Sequence, residues 1–264
     1  MNSFRDWKMG HMQGTGIEIK SKDQMGREVV ITSQPRRIVS LVPSQTEFLI
    51  DIGAPVVGRT KFCIHPSEKV KDISIIGGTK NFRIDAIREL KPDLVIGNKE
   101  ENYEEGIAEL EREFPVWMSD IYTLDDSLKM MSTIGQLVGK KAKTETILIE
   151  CQEALEKVKG TRSGKVIYLI WKNPWMGAGK NTFIDQMLSH LGYENLLKYE
   201  RYPELTDEQI SDLNPDEILF SSEPFPFKES HLEEAVNQWP KSKSQLVDGE
   251  LFSWYGSRLK YWKA

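Results

Sequence analysis

Residues 84–96 read Ile-Asp-Ala-Ile-Arg-Glu-Leu-Lys-Pro-Asp-Leu-Val-Ile, and residues 207–219 read Asp-Glu-Gln-Ile-Ser-Asp-Leu-Asn-Pro-Asp-Glu-Ile-Leu. With a constant offset, Leu90 aligns with Leu213, and the Pro-Asp pair at 92–93 aligns with the pair at 215–216. Each copy has the pattern of a short helix, a Pro-Asp break and a buried strand, a unit typical of parallel sheets. Two such copies far apart in the chain predict two similar α/β lobes with a cleft between them.

The segments around the two copies repeat one order of elements. Residues 37–41 form a predicted strand and residues 45–52 a predicted helix; residues 165–170 and 182–191 repeat this order in the second half. We therefore predict an α/β fold with Rossmann-like parallel-sheet lobes, the N-terminal lobe over residues 17–123 and the C-terminal lobe over residues 161–264.

The segment between the lobes has a different pattern. It has no proline from residue 124 to residue 158, and its apolar residues recur close to every 3.6 positions. This pattern predicts one long backbone helix over residues 124–160 that joins the lobes, with Gly135 and Gly139 allowing a bend or close packing.

Composition excludes several classes of protein. The 264 residues carry a net charge of −5 with Lys and Arg dispersed, which gives no electrostatic case for nucleic-acid binding. Two cysteines form no disulfide framework, and no apolar run has the length of a membrane span. Residues 1–16 lack the apolar core of a signal peptide and are expected to be a disordered or artificially added tail.

Aromatic residues are concentrated in the loops that follow the predicted strands. In open parallel sheets, ligands bind at the loops beyond the carboxyl ends of the strands. The aromatic residues there include Phe62, Trp171, Trp175, Phe225, Phe227, Phe252, Trp254 and Tyr255. They indicate a flat or bulky apolar ligand, although each tryptophan has the alternative role of covering a lobe core.

Signatures of catalysis or of a resident metal are weak. The chain contains no Gly-x-Ser-x-Gly, no His-Glu-x-x-His and no complete phosphate loop, so we predict that it is not an enzyme. Cys63 and His65 do not have zinc-site spacing, and we expect no metal site, with His65 a weak candidate ligand. The acidic run Glu100, Glu101, Glu104 and Glu105 is expected to be a solvated loop and helix face.

Three stretches resemble a known family over residues 27–260. They are Arg-Ile-Val-Ser-Leu-Val-Pro-Ser-Gln-Thr-Glu at 37–47, Leu-Lys-Pro-Asp-Leu-Val-Ile at 90–96, and Gly-Ala-Gly-Lys-Asn-Thr-Phe at 177–183. The chain resembles the helical-backbone (class III) periplasmic substrate-binding proteins of ABC importers, closest to the cobalamin-binding proteins. The resemblance implies a corrinoid, cobalamin, as the transported ligand in the inter-lobe cleft, and no permanently bound cofactor. A ferric siderophore or haem is the alternative ligand.

The resemblance also implies partners and site residues. The partner would be the permease dimer of the importer, contacted by Asp85 and Glu208, which occupy equivalent positions in the repeat; the protein itself is expected to be a monomer. The predicted ligand-binding residues are Ser44, Gln45, Gly78, Thr79, Trp171, Trp175, Phe225, Trp254 and Tyr255. The expected location is the periplasm or the cell surface. The alternatives are a cytoplasmic corrinoid-binding protein not coupled to transport, and an interaction module without a small ligand.

Overall fold

The computed structural model describes residues 18–263, so the predicted tail at residues 1–16 lies outside the described residues. Strands β1 (Ile19–Lys22) and β2 (Glu28–Ile31) pair as an antiparallel hairpin before the first lobe. None of the helices in the described range is long and apolar enough to span a membrane.

The N-terminal lobe is a five-stranded sheet in which every neighbouring pair is parallel. Its elements in chain order are β3 (Ile38–Ser40), α1 (Pro43–Asp51), β4 (Val56–Arg59), α2 (Ser67–Val70), β5 (Ser74–Ile75), α3 (Ile84–Leu90), β6 (Leu94–Asn98), α4 (Glu104–Leu110) and β7 (Val116–Ser119). The strand order is β5-β4-β3-β6-β7, so β3 lies at the centre with connections on both sides. The carboxyl ends of β3 and β6 therefore face the cleft side by side.

The linking segment differs from the prediction of one helix. It consists of α5 (Leu124–Leu137) and α6 (Lys141–Val158), separated at Gly139, whose φ of +66° ends the first helix in a left-handed conformation. Gly135 lets the two helices pack closely, since a Cβ there would lie 2.0 Å from the Thr144 hydroxyl. The 3.6-residue period is continuous in sequence, but it does not reveal that the chain turns at Gly139.

The C-terminal lobe has a mixed sheet instead of a wholly parallel one. Its elements in chain order are β8 (Lys165–Trp171), β9 (Trp175–Gly177), α7 (Phe183–Leu191), β10 (Glu194–Asn195), β11 (Glu204–Leu205), α8 (Asp207–Leu213), β12 (Glu217–Ser221), α9 (Glu229–Gln238), β13 (Lys243–Val247) and α10 (Gly249–Ser253). Strands β8, β10, β12 and β13 pair in parallel, whereas β9 and β11 join the edge antiparallel. The antiparallel edge arises because residues 171–175 form a short turn that returns the chain beside β8.

The Pro-Asp repeat has the same structural role in both lobes. Helices α3 and α8 end at left-handed residues, Lys91 with φ 45° and Asn214 with φ 46°. The following aspartates then bind the start of the central strand: Asp93 accepts from the Arg37 backbone N–H at 2.9 Å, and Asp216 from the Lys165 N–H at 2.7 Å. The sequence repeat therefore reflects a repeated helix-to-strand connection.

The C-terminal segment returns across the N-terminal lobe. A 3-10 helix, Ser257–Tyr261, packs on α1 and α6. Arg258 Nε donates to Glu47 at 2.9 Å and Lys260 Nζ to Asp51 at 2.7 Å, so two ion pairs join this segment to α1. One continuous apolar core includes residues of both lobes, from Phe48 to Tyr168 and Leu219.

Candidate functional site in the inter-lobe cleft

A cavity of about 550 Å³ lies between the lobes and is lined by residues of both. This volume is within the range of small-molecule sites. Its apolar and aromatic lining residues are Pro43, Phe62, Ile64, Ile121, Ile170, Phe183, Ile184, Tyr202, Pro224, Trp254 and Tyr255. Its polar lining residues are Thr79, Lys80, Asn98, Glu100, Glu101, Glu223, Glu250 and Ser253. The arrangement of an apolar wall with a few polar groups is typical of ligand pockets.

Trp254 and Tyr255 form the wall that follows α10. The Trp254 indole N–H donates to Glu223 Oε1 at 2.8 Å, and the Arg258 guanidinium lies 5.0 Å from the centre of its ring. The Tyr255 hydroxyl donates to Glu101 Oε1 at 3.1 Å. Because these contacts fix both rings, a ligand would meet preformed aromatic surfaces.

Two asparagines fix the facing loop after β6. Asn98 Oδ1 accepts from the backbone N–H groups of Glu100 at 2.8 Å and Glu101 at 3.0 Å. Asn102 Oδ1 accepts from the Asn98 N–H at 2.8 Å, and its Nδ2 donates to the Thr79 carbonyl at 3.0 Å. The loop is therefore held in one conformation, with Thr79, Glu100 and Glu101 at the cavity.

The prediction that the whole acidic run is solvated is wrong for Glu101. Glu104 and Glu105 are exposed on α4 as expected, but Glu101 lines the cavity. Burial there raises the pKa of Glu101 to about 7 against the hydrogen bond from Tyr255, and the charges of Glu100 and Glu223 add to the rise. Burial also raises the pKa of Glu223 above its ordinary value. Charge counting along the sequence gave no sign that the fold brings two of the four neighbouring carboxylates, Glu100 and Glu101, to the cavity.

Three of the nine predicted ligand-binding residues line the cavity: Thr79, Trp254 and Tyr255. Ser44 and Gln45 are buried in the first turn of α1 behind Pro43, where Gln45 Nε2 donates to Ser119 Oγ at 2.6 Å. Gly78 is buried, and a Cβ on it would lie 3.3 Å from the Phe62 ring. These three residues support the wall without lining the cavity.

Trp171, Trp175 and Phe225 belong to a separate aromatic cluster on the C-terminal lobe, and none of them lines the cavity. Trp175 stacks on Phe227 at 6.2 Å and packs edge-on against Trp239 at 5.4 Å, as part of the second core of that lobe. Trp171 is 40% exposed and contacts Phe225. The physical reason is the antiparallel strand β9, which directs residues 171–175 away from the cleft.

A family model described as periplasmic binding protein matches residues 38–241. This range includes the first sheet, the second sheet except β13, both copies of the repeat and most of the cavity lining. The chain belongs to the periplasmic binding protein family. The family is one of binding proteins, and its match agrees with the resemblance found in the sequence.

The chain is similar in sequence to curated proteins that include the following two. An uncharacterised ABC transporter substrate-binding lipoprotein of Bacillus subtilis is 27% identical over 214 residues, 75% of this chain and 67% of the relative. A vitamin B12-binding protein of Pectobacterium atrosepticum is 25% identical over 199 residues, 70% of this chain and 71% of the relative. Among solved structures, a periplasmic haem-binding protein of Roseiflexus in apo form matches with a TM-score of 0.74 at 22% identity, covering 85% of this chain and 94% of that one. That similarity shows the two-lobed fold.

The two predicted docking residues occupy equivalent places in their lobes. Asp85 is the second residue of α3 and Glu208 the second residue of α8. The Asp85 side chain is 90% exposed and pairs with Arg88 at 2.8 Å, and Glu208 is also exposed. Both carboxylates are therefore accessible to a partner.

His65 is not among the residues that line the cavity. Its Nε2 lies 3.0 Å from Glu250 Oε2, and its ring meets the edge of Trp254 at 5.6 Å. Cys63 is buried, and its sulfur lies 3.1 Å from the Thr46 hydroxyl. Within residues 18–263, no three His, Cys, Asp or Glu side chains come together as a metal site.

Sequence reasoning missed several lining residues. Phe183 and Tyr202 carry no pattern that distinguishes them from core residues, and no ligand role was predicted for Glu101 or Glu223. Glu101 and Glu223 do share one signal, because each follows the carboxyl end of a central strand, β6 or β12. The rule that ligands bind beyond these strand ends would have selected both.

Proposed function

We propose that this chain is the substrate-binding protein of an ABC importer and that the inter-lobe cavity takes a corrinoid, cobalamin. The observation that carries the proposal is the cavity between the lobes. Trp254 and Tyr255 form an aromatic wall of this cavity, and hydrogen bonds to Glu223 and Glu101 hold their rings in place. Membership of the periplasmic binding protein family and the relatives named for vitamin B12 binding and ABC transport support it.

The wall suits a flat macrocycle. Aromatic side chains offer large faces and edges that stack on planar or bulky apolar groups. Most of the cavity surface is apolar, so burial of the macrocycle would supply the main favourable free energy. Haem and ferric siderophores are the alternatives within the same family. Burial raises the pKa of Tyr255 well above its ordinary value, so in the free protein its hydroxyl keeps its proton and donates to Glu101.

Transport would require a permease partner and an exported protein. We propose that Asp85 and Glu208 dock on the permease dimer, that the chain acts as a monomer in the periplasm or at the cell surface, and that cobalamin is cargo instead of a resident cofactor. The equivalent positions of the two acids support this arrangement, since a roughly two-fold partner would contact both lobes in the same way.

Calorimetry of the purified protein with cyanocobalamin, haemin and a ferric catecholate siderophore tests the proposal. We expect cyanocobalamin to bind with one site per chain and more tightly than the other two. Absence of cyanocobalamin binding would reject the corrinoid, and tight binding of haemin or of the siderophore would assign the cavity to that ligand.

A further inference from the structure

We propose, on the basis of the function above, that Glu101 and Glu223 form a paired acceptor site for N–H groups of the ligand and exclude ligands that carry carboxylates there. The ligand class of the cavity is accordingly a macrocycle with amide or cationic substituents. Neither carboxylate was expected from the sequence, and each comes from a different lobe.

Adjacent residues of one wall hold the two carboxylates. Trp254 donates to Glu223 Oε1 at 2.8 Å, and Tyr255, the next residue, donates to Glu101 Oε1 at 3.1 Å. Ser253 Oγ also donates to Glu223 Oε1, at 2.7 Å. In each carboxylate the other oxygen, Oε2, has no hydrogen-bond donor among residues 18–263, although both side chains line the cavity.

The other acids of the cavity are already paired with cations. Glu250 accepts from Arg258 at 3.0 Å, and Glu100 pairs with Arg201. Glu101 and Glu223 have no such ion pair in the described part of the chain. The negative potential at the aromatic wall therefore originates mainly from these two groups, and it is opposed by Lys80, which lines the cavity and donates to the Glu100 carbonyl.

The free oxygens of the two carboxylates leave the hydrogen bonding of this wall incomplete without a ligand, because both side chains line the cavity and the second oxygen of each has no donor among the described residues.

A ligand must satisfy these acceptors to bind well. An amide N–H or a cation would hydrogen-bond to a free oxygen with little further desolvation of the carboxylates, because the fold already removes them from most of the solvent. At pH above about 7, where Glu101 is mostly ionised, a ligand carboxylate would meet two negative groups in a low-dielectric cavity, which repel it. The peripheral amides of a corrinoid meet the requirement, and the propionates of haem do not.

Two matched pairs of probes test the inference by calorimetry. The first pair is cyanocobalamin and its monocarboxylic acid, in which one amide is hydrolysed. The second is haemin and haemin bisamide, in which both propionates are converted to amides. The variant Glu101→Gln with Glu223→Gln is compared with Glu105→Gln, which removes an exposed charge from α4. Circular dichroism checks that each variant is folded.

We expect the amide member to bind at least about tenfold more tightly within a pair, a difference of about 1.4 kcal/mol. The double variant should reduce this preference to about twofold, and Glu105→Gln should keep it. Binding of the haem pair alone, with the bisamide preferred and neither corrinoid bound, would sustain the inference while rejecting the corrinoid. Equal binding of cyanocobalamin and its acid would overturn the inference and leave the proposed function standing. Failure of both amide probes to bind would overturn both.

Discussion

At the scale of the residue, Trp254 is the side chain on which ligand affinity should depend most. It lines the cavity and is fixed by Glu223, Arg258 and His65. Loss of one buried aromatic contact costs on the order of 1 kcal/mol or more, so Trp254→Ala should weaken cyanocobalamin binding by about tenfold. Calorimetry measures the change.

Trp171→Ala is the matched control, because Trp171 is an exposed tryptophan outside the cavity. We expect its affinity to equal that of the unmutated protein within about twofold. If both variants lost affinity equally, the ligand would lie on the aromatic cluster of the C-terminal lobe and not in the cavity.

Glu101 should make the free energy of unfolding depend on pH. Its pKa of about 7 in the folded protein exceeds the unfolded value near 4.5, so the folded state binds the proton more tightly. The contribution of this group to the free energy of unfolding is fully present below the unfolded pKa and is lost as the pH rises through about 7. Glu100 and Glu223 act with burial to raise this pKa, whereas Tyr255 and Lys80 oppose the rise.

Urea unfolding at pH 5 and at pH 8 measures the effect. Between these pH values, we expect the free energy of unfolding to fall by up to about 3 kcal/mol more in the unmutated protein than in Glu101→Gln. Glu105→Gln serves as the control with an exposed carboxylate. The same pH dependence in Glu101→Gln and in the unmutated protein would show that Glu101 titrates normally.

At the scale of the element, the break between α5 and α6 depends on Gly139. Its φ is +66°, and a Cβ would lie 2.6 Å from the Gln34 side chain, which donates to the Leu137 carbonyl at 3.1 Å. Gly139→Ala should therefore cost about 1 kcal/mol for the left-handed backbone and about 1 kcal/mol more for the displaced hydrogen bond.

Gly160 provides the control for that substitution. It has nearly the same φ, +65°, but a Cβ there would meet no atom within 4 Å. In thermal or urea unfolding, Gly160→Ala should lower the free energy of unfolding by only about 1 kcal/mol. Equal losses in the two variants would mean that Gln34 does not support the break.

At the scale of the whole molecule, the lobes should move little on ligand binding. One apolar core runs through both lobes, and the ion pair Glu100–Arg201 links them across the cleft. The ion pairs Glu47–Arg258 and Asp51–Lys260 hold the C-terminal segment on α1. Opening would require these contacts to break together. Small-angle scattering with and without cyanocobalamin should give nearly equal radii of gyration, and a contraction of several ångströms would contradict a rigid frame.

The docking prediction belongs to the same scale. Asp85→Arg with Glu208→Arg should abolish stimulation of the importer in proteoliposomes and leave cyanocobalamin affinity unchanged, because charge pairs set the register of an interface. Glu145→Arg with Glu156→Arg reverses two exposed acids on α6 as the control. Loss of ligand binding in the docking variant would place these acids in the binding site, and normal stimulation would show that neither acid docks on the permease. A lack of stimulation by the unmutated protein would favour a corrinoid-binding protein not coupled to transport.

The sequence by itself determined the two-lobed α/β fold, because local patterns encode it. The Pro-Asp repeat specifies a helix stop and a carboxylate that binds the next strand, and both act within short stretches of chain. The equivalence of Asp85 and Glu208 follows from the same repeat. Trp254 and Tyr255 could be selected because they are adjacent aromatic residues in a predicted loop of the second lobe, and both line the cavity.

Only the tertiary structure decided which of the other candidates reach the cavity. Trp175 and Trp254 are both aromatic residues on loops, yet the antiparallel strand β9 commits Trp175 to a lobe core. Glu101 and Glu105 are alike in sequence, but Asn98 and Asn102 fix the loop that places Glu101 inside. Hydrophobic period and charge patterns report the preferences of single segments, whereas burial and desolvation depend on contacts between segments far apart in the chain.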